Sequence, residues 1–166
     1  MAQNSSYVTV DGEFDSLEDR SFLTIDDYDL SGQNVILRID INSSINPENG
    51  DLLDDTRIKR HSATVKELSD KYARVIVLAH QSRPGKLDFV NLEKHGERMS
   101  QIINKEIKFI DDIYGKEAIK HINNIKDGEI ILLDNVRFDN EEIKLSKFMN
   151  DNFDLQRKSK MVRKLS

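Results

Sequence analysis

The chain has 166 residues, of which 37% are hydrophobic and 33% charged, with no cysteine and no tryptophan. This composition excludes collagen-like, disulfide-rich and wholly disordered proteins and is typical of one globular domain with a modest core. The formal net charge of −5 argues against a general nucleic-acid binder, and no apolar run approaches the ~18 residues that a membrane-spanning helix needs. The lack of cysteine and of an apolar leader favours a cytoplasmic protein.

The charges are distributed unevenly along the chain. Residues 1–31 hold eight acidic residues and one basic residue, whereas residues 156–166 hold five basic residues and no acidic one. We expect residues 1–22 to form a separate acidic segment, with its flexibility left open, and residues 23–166 to form the folded part. A short basic stretch at a chain end is more often a solvated helix face than a specific anion site.

From residue 34 onward, short apolar runs alternate with stretches of helical periodicity. The runs at 34–39, 74–79, 106–110 and 129–133 predict four strands. The alternation predicts an α/β fold: a doubly wound, mostly parallel sheet with helices on both faces, a Rossmann-like three-layer sandwich. Cover on both faces would explain why the strand runs are continuously apolar.

Helices are predicted between these strands. Asp54 and Asp55 offer N-cap chemistry before a first helix whose apolar face is formed by Ile58, Val65, Leu68 and Tyr72. A second helix is predicted after Asn91, itself a candidate cap, with further helices around 118–122 and over 141–153.

Polar residues follow each predicted strand: Asp40 and Asn42 after the first, His80, Ser82 and Arg83 after the second, Asp111 and Asp112 after the third, and Asp134, Asn135 and Arg137 after the fourth. Open parallel sheets bind ligands at the carboxyl ends of their strands, so we expect these side chains to lie close together, with Arg57 near the same edge. Arginine suits phosphate and carboxylate oxygens. The pattern therefore predicts a site for a small phosphorylated or carboxylated metabolite, unless each arginine forms a structural ion pair with a neighbouring aspartate.

Other candidate sites are weaker. Neither G-x-x-x-x-G-K-[ST] nor G-x-G-x-x-G occurs, and the acid pairs at 54–55 and 111–112 are more often helix caps than metal ligands, so no metal site is predicted. His61, His95 and His121 fall in helical stretches and are expected to be surface or packing residues. Arg38, inside a strand, is expected to pair with a neighbouring acid.

Four of these motifs, in the same order, resemble the N-terminal domain of phosphoglycerate kinases. R-I-D-I-N at 38–42 is similar to the family pattern R-V-D-[FI]-N, and D-T-R-I at 55–58 to D-x-R-I. A-H-Q-S-R-P at 79–84 is similar to S-H-x-G-R-P, and D-N-V-R-F at 134–138 to [EL]-N-V-R-F. The segments D-I-N-S at 40–43 and H-Q-S-R-P at 80–84 resemble those of the archaeal branch of the family. Ser82 stands where the family usually has glycine, and Ser44 where proline is common.

The resemblance implies roles for the strand-end residues. Asp40, Asn42, His80, Arg83 and Arg137 are implied to bind 3-phosphoglycerate. The implied catalytic residue is Arg57, which would bind substrate and stabilise the transferring phosphoryl group. The family reaction moves a phosphate between 1,3-bisphosphoglycerate and ADP, with magnesium, across a cleft between two domains.

On this resemblance we expect residues 23–166 to be an incomplete N-terminal domain of a glycolytic kinase. We expect this chain to lack the nucleotide-binding domain, and with it the site for Mg-ATP or Mg-ADP. Such a chain should bind 3-phosphoglycerate, but neither nucleic acid nor membrane, and should be inactive alone; a separate C-terminal half is left open as a partner.

Two other functions compete with this one. The alternative that stays open is a non-enzymatic anion-binding or protein-interaction module derived from a truncated kinase. A receiver-like domain with Asp40 as phosphoacceptor is disfavoured, because asparagine and arginine follow the fourth strand where a pairing lysine is expected.

Overall fold

The structure, a computed structural model, describes residues 24–145 and 159–165. Its strands are β1 Asn34–Arg38, β2 Arg74–Leu78, β3 Ile107–Ile110 and β4 Ile130–Leu133. They form one sheet in the order β1-β2-β4-β3, and every neighbouring pair is parallel. The predicted α/β class with a parallel sheet is confirmed, and each strand lies within its predicted range.

The helices are α1 Thr56–Asp70, α2 Glu93–Ile103, α3 Lys116–Asn124, α4 Asn140–Leu145 and α5 Lys160–Leu165, with short 3-10 helices at Ile25–Asp27 and Val136–Phe138. Of the helix predicted over 141–153, the part from 146 onward lies outside the described residues. Among residues 24–145 and 159–165, no helix combines the length and apolar character needed to cross a membrane.

Alternate residues of the two central strands enter two apolar clusters, one on each face of the sheet. Val75 and Val77 of β2 pack with buried residues of α1 and α2, whereas Ile76 and Leu78 pack with residues of α3 and α5. Helices on both faces explain the uninterrupted apolar runs of β2 and β4. The predicted three-layer arrangement is therefore present at the centre of the sheet.

Strand β1 departs from that expectation. Val35 and Leu37 pack against the α1 and α2 side, but Ile36, pointing to the other face, is 45% exposed. β1 lies at the edge of the sheet, where residues 24–145 and 159–165 leave its second face uncovered, and exposed and half-buried residues alternate along it. Alternation of this kind is typical of a strand with one face toward solvent.

The predicted apolar face of α1 is correct for three of its four residues. Ile58, Val65 and Leu68 are buried, but Tyr72 is 65% exposed. The helix ends at Asp70, and Tyr72 adopts a left-handed φ of 61° in the turn that leads to β2. The prediction is therefore wrong at Tyr72, which lies beyond the end of the helix.

The two acids before α1 do not act alike. Asp54 Oδ1 accepts from the N–H of Thr56 at 3.3 Å and from its hydroxyl at 2.7 Å. Asp55 occupies the N-cap position but makes no capping hydrogen bond. Its carboxylate pairs with Arg98 and Lys59 instead, so Asp55 joins α1 to α2.

Asp112 is the stronger cap. Its carboxylate accepts from the backbone N–H groups of Gly115 at 2.8 Å and of Glu117 and Ala118 at 3.1 Å each. The predicted reading of the second acid pair as a cap is therefore correct for Asp112. Asn91 makes only a long bond, 3.4 Å, to the N–H of Glu93.

Candidate functional site

The predicted site residues meet at the carboxyl edge of the sheet. Asp40 and Asn42 follow β1, His80 and Arg83 follow β2, and Arg137 follows β4. Because β1, β2 and β4 are neighbours in the sheet, their three loops lie side by side.

Arg57, in the first turn of α1, joins this edge through an ion pair with Asp40. Asp40 also accepts a hydrogen bond from the N–H of Asn42 at 3.1 Å. Burial raises the pKa of the Asp40 carboxyl, but the Asn42 amide and the Arg57 guanidinium outweigh burial and hold that pKa below its usual range. Both side chains of the pair stay about half exposed, 52% for Arg57 and 48% for Asp40, so a ligand has access to the guanidinium.

Ser82 connects the three loops. Its N–H donates to Asn42 Oδ1 at 2.9 Å, and its carbonyl accepts from Arg137 Nη1 at 2.5 Å. Its hydroxyl donates to Asp88 at 2.6 Å. Asn42 and Arg137, two of the predicted ligand-binding residues, thus also hold the backbone of the β2 loop in place. Ser82 has a φ of 54°, in the left-handed region that favours glycine.

His80 lies half-buried between charged side chains. Burial lowers the pKa of its imidazole, and Arg137 and Arg38 lower it further, although the carboxylates of Asp40 and Glu142 oppose them. With a pKa below its usual value, His80 is neutral at pH 7.

The arginines differ in how they are paired. Arg38 forms an ion pair with Glu142, as predicted, and Arg57 forms one with Asp40. The exposed guanidinium of Arg83 makes no hydrogen bond or ion pair with any residue in 24–145 or 159–165. Within the same residues, Arg137 has no carboxylate partner.

A buried polar network that the sequence reasoning missed lies behind these exposed groups. The Gln81 side chain is completely buried, and its Oε1 accepts from the N–H of Ser43 at 2.9 Å. Its Nε2 donates to the carbonyl of Ser43 at 2.9 Å. Asn135 accepts from the Gln81 N–H at 3.2 Å and donates to the Gln81 carbonyl at 2.8 Å and the Val90 carbonyl at 3.0 Å. The only signal in the sequence is a glutamine two residues after the apolar run at 74–79.

His95 completes this network from α2. It is 1% exposed, and burial lowers the pKa of its imidazole to about 4. The neutral ring places Nε2 3.1 Å from Gln81 Oε1, and since that oxygen is an acceptor, Nε2 carries the hydrogen. His95 is therefore a packing residue, one of the two outcomes predicted, while His61 and His121 are partly exposed.

The acids after β3 and β4 serve the fold. Asp134 is 4% exposed and accepts from the N–H groups of Leu92 at 3.1 Å and Asn135 at 2.7 Å. Burial raises the pKa of Asp134, and the nearby carboxyl of Asp111 raises it further, against the effect of the two N–H groups. Within residues 24–145 and 159–165, no group of three or more histidine or acidic side chains is placed to hold a metal ion.

Curated archaeal proteins named phosphoglycerate kinase are similar to this chain. The protein of Methanothermobacter thermautotrophicus is 50% identical over 122 residues, covering 74% of this chain and 30% of the relative. That of Methanothermus fervidus is 46% identical over 145 residues, covering 87% and 34%, and that of Methanococcus maripaludis is 52% identical over 122 residues, covering 74% and 30%. The chain thus spans about a third of the length of the curated relatives it matches.

The fold gives the same relationship. The crystal structure of phosphoglycerate kinase from Pyrococcus horikoshii superposes with a TM-score of 0.78 at 29% identity, over 87% of this chain and 34% of that one. The family model described as phosphoglycerate kinase matches residues 25–166. These residues include all four motifs in which the resemblance was found, and the chain therefore belongs to the phosphoglycerate kinase family.

Proposed function

We propose that this chain forms the 3-phosphoglycerate-binding part of a phosphoglycerate kinase, the glycolytic enzyme that transfers a phosphate between 1,3-bisphosphoglycerate and ADP. The observation that carries the proposal is the loop around Ser82, which Asn42 and Arg137 hold from two sides. That contact brings residues from three strand ends to one place beside the exposed Arg83. In this proposal residues 23–166 make up the substrate-binding part, and residues 1–22 are a separate segment.

The chemistry of these side chains suits a small molecule with a phosphate, a carboxylate and a hydroxyl group. Arg83 and Arg137 offer forked donors that match phosphate or carboxylate oxygens. Asp40, whose pKa is held low, is an acceptor for the substrate hydroxyl, and Asn42 and His80 offer neutral polar groups to the same molecule.

Arg57 is proposed as the catalytic residue. Its ion pair with Asp40 holds the guanidinium at the edge of the site, and half of the side chain stays exposed. Phosphoryl transfer depends on positioning and on neutralising the charge of the transferring oxygens. A guanidinium already held in place serves both needs without reorganisation.

The nucleotide is assigned elsewhere. The sequence has no glycine-rich phosphate loop of either common type, and the described residues bring together no set of three metal-binding side chains. We therefore assign Mg-ADP and Mg-ATP to the part of the relatives that this chain does not match. A cytoplasmic location follows from the glycolytic role.

Calorimetry on the full chain tests the proposal. We expect 3-phosphoglycerate to bind, Arg83→Ala to weaken it by roughly 10- to 100-fold, the worth of a charged hydrogen bond, and Mg-ADP to give no binding heat. Arg74→Ala is the matched control, because Arg74 pairs with Asp127 at the start of β2, opposite the site. A folded wild-type chain that does not bind 3-phosphoglycerate would favour the non-enzymatic module. Equal losses of affinity in Arg83→Ala and Arg74→Ala would also refute the assignment.

A further inference from the structure

We propose that Gln81, with His95 behind it, is a positioning residue that sets the spacing of the β1 and β2 loops and so aligns the groups that hold the substrate. The inference rests on the proposed function, since it concerns the same site. Gln81 itself is completely buried and has no surface to offer a ligand, so it acts only through its neighbours.

The contact between Gln81 and Ser43 is a two-bond pairing. One amide oxygen accepts from the Ser43 N–H, and the amide nitrogen donates to the Ser43 carbonyl, both at 2.9 Å. Two bonds from one planar group fix both the distance and the relative orientation of the loops, which a single bond does not. The Gln81 amide therefore pairs with both backbone groups of Ser43, as the backbone of a neighbouring strand does in a sheet.

This pairing lies one residue from the groups at the surface. Asn42 precedes Ser43, and its Oδ1 holds the N–H of Ser82, the residue after Gln81. The buried link and the surface link thus run side by side between the same two loops. Buried hydrogen bonds are protected from competition with water, so the buried link is the one that sets the register when ligand enters or leaves.

Ser43 and His95 meet the Gln81 amide oxygen from two sides. The Nε2 of the neutral His95 ring lies 3.1 Å from Gln81 Oε1 and donates to it. A flipped amide would turn its NH₂ group against the N–H of Ser43 and its oxygen against the Ser43 carbonyl, so the Ser43 backbone sets the orientation that His95 supports. The opposite face of the residue is held as well, because Asn135 bonds both backbone groups of Gln81. Each loop of the site except that of Arg57 is thereby tied to Gln81.

The test uses Gln81→Met in the full chain, which keeps much of the side-chain volume and removes the amide. The control is Ser69→Ala, because Ser69 is 2% exposed and donates to the Gly128 carbonyl at 2.6 Å, near the starts of β2 and β4 and away from the site. Urea unfolding confirms that both variants are folded, and calorimetry gives the affinity for 3-phosphoglycerate. We expect Gln81→Met to bind roughly 10- to 100-fold more weakly, the worth of one charge-assisted hydrogen bond to the substrate that misaligned loops no longer make, and Ser69→Ala to stay within about twofold of wild type, since it leaves the site geometry unchanged.

Two further measurements separate positioning from general stability. The NMR titration of His80, assigned with His80→Gln, should move toward the ordinary histidine pKa in Gln81→Met and stay unchanged in Ser69→Ala, with no ligand present. His95→Leu should weaken binding, and His95→Gln, which restores a donor near the position of Nε2, should recover it.

The outcomes are distinct. Wild-type affinity in folded Gln81→Met, an equal loss in Ser69→Ala, or equal affinities in His95→Leu and His95→Gln would each overturn the positioning role. If Gln81→Met does not fold, the His95 pair decides. If the wild-type chain does not bind 3-phosphoglycerate, the proposed function fails, while the His80 titration still reports whether Gln81 sets the loop geometry.

Discussion

Ser82 provides a sharp test of how the β2 loop is built, because it holds a left-handed φ of 54° at a position where the family usually has glycine. Ser82→Gly removes a conformational penalty of about 1–2 kcal/mol. It also removes the hydroxyl that donates to Asp88 at 2.6 Å, a charge-assisted bond of about 1.5–3 kcal/mol. The greater freedom of glycine in the unfolded chain costs a further ~0.5–1 kcal/mol.

The losses exceed the gain, so Ser82→Gly should lower the free energy of unfolding by about 1–2 kcal/mol. Ser82→Ala keeps the left-handed penalty and loses the same hydroxyl, so it should be less stable than Ser82→Gly by roughly 0.5–1 kcal/mol. Ser44 is the control: it is exposed and its φ is not positive, so alanine there should be at least as stable as glycine.

Urea unfolding followed by far-UV circular dichroism measures these differences, since the chain has no tryptophan. A difference of 1 kcal/mol moves the midpoint by about 0.3–1 M urea. The reasoning is refuted if Ser82→Ala is as stable as Ser82→Gly, or if the two serines show the same order of alanine and glycine.

Three other predictions concern buried and capping groups. The pKa of Asp134 is raised from 3.8 by burial and by Asp111. The carboxyl therefore contributes fully to the free energy of unfolding below pH 3.8, and this contribution is lost as pH rises through the pKa of the folded state. Asp134→Asn should therefore stabilise the chain at pH 7, with a gain that shrinks toward pH 3.5 in urea titrations; a gain independent of pH would contradict this cause. The pKa of His80 is lowered, so a bound anion should draw a proton onto the imidazole. Calorimetry near pH 6.5 in two buffers of different ionisation heat should therefore show more proton uptake on binding in wild type than in His80→Gln. Equal uptake in the two proteins would contradict this prediction. A Cβ on Gly115 would lie 2.6 Å from Asp112 Oδ2, so Gly115→Ala should displace the cap and lower the free energy of unfolding by about 1–2 kcal/mol. Adding Asp112→Ala should lower it little further, because the cap is already lost. Full additivity of the two substitutions in urea unfolding would contradict this shared cause.

The order of strands and helices was predictable because it depends on local patterns. The runs that became β2 and β4 are apolar without a break, which only a strand buried on both faces requires. The errors arose where tertiary context decides. The cover of Ile36 depends on what packs beside β1, and the exposure of Tyr72 depends on a left-handed turn that its neighbours in sequence do not signal.

The site shows the same division. Chain order and parallel topology were enough to predict which loops meet, since polar residues at the carboxyl ends of neighbouring strands share one edge. They were not enough to predict that Asn42 and Arg137 contact Ser82, or that Gln81 pairs with Ser43. Those contacts depend on distances of a few ångströms between loops. They also depend on the left-handed conformation of Ser82, which a glycine at that position would have indicated but a serine does not.

The pairing of charges at the sheet edge has a consequence for how fast an anion arrives. Arg38, Arg57, Arg83 and Arg137, with their partners Asp40 and Glu142, carry a formal charge of +2 in a chain of net charge −5. At physiological ionic strength the Debye length is about 8 Å, so an approaching anion is attracted by this local charge and is shielded from the rest. At ~0.01 M salt the length is about 30 Å, and the repulsion of the whole chain reaches the anion as well. The association rate of an anionic substrate should therefore pass through a maximum at intermediate salt instead of falling steadily as salt is added.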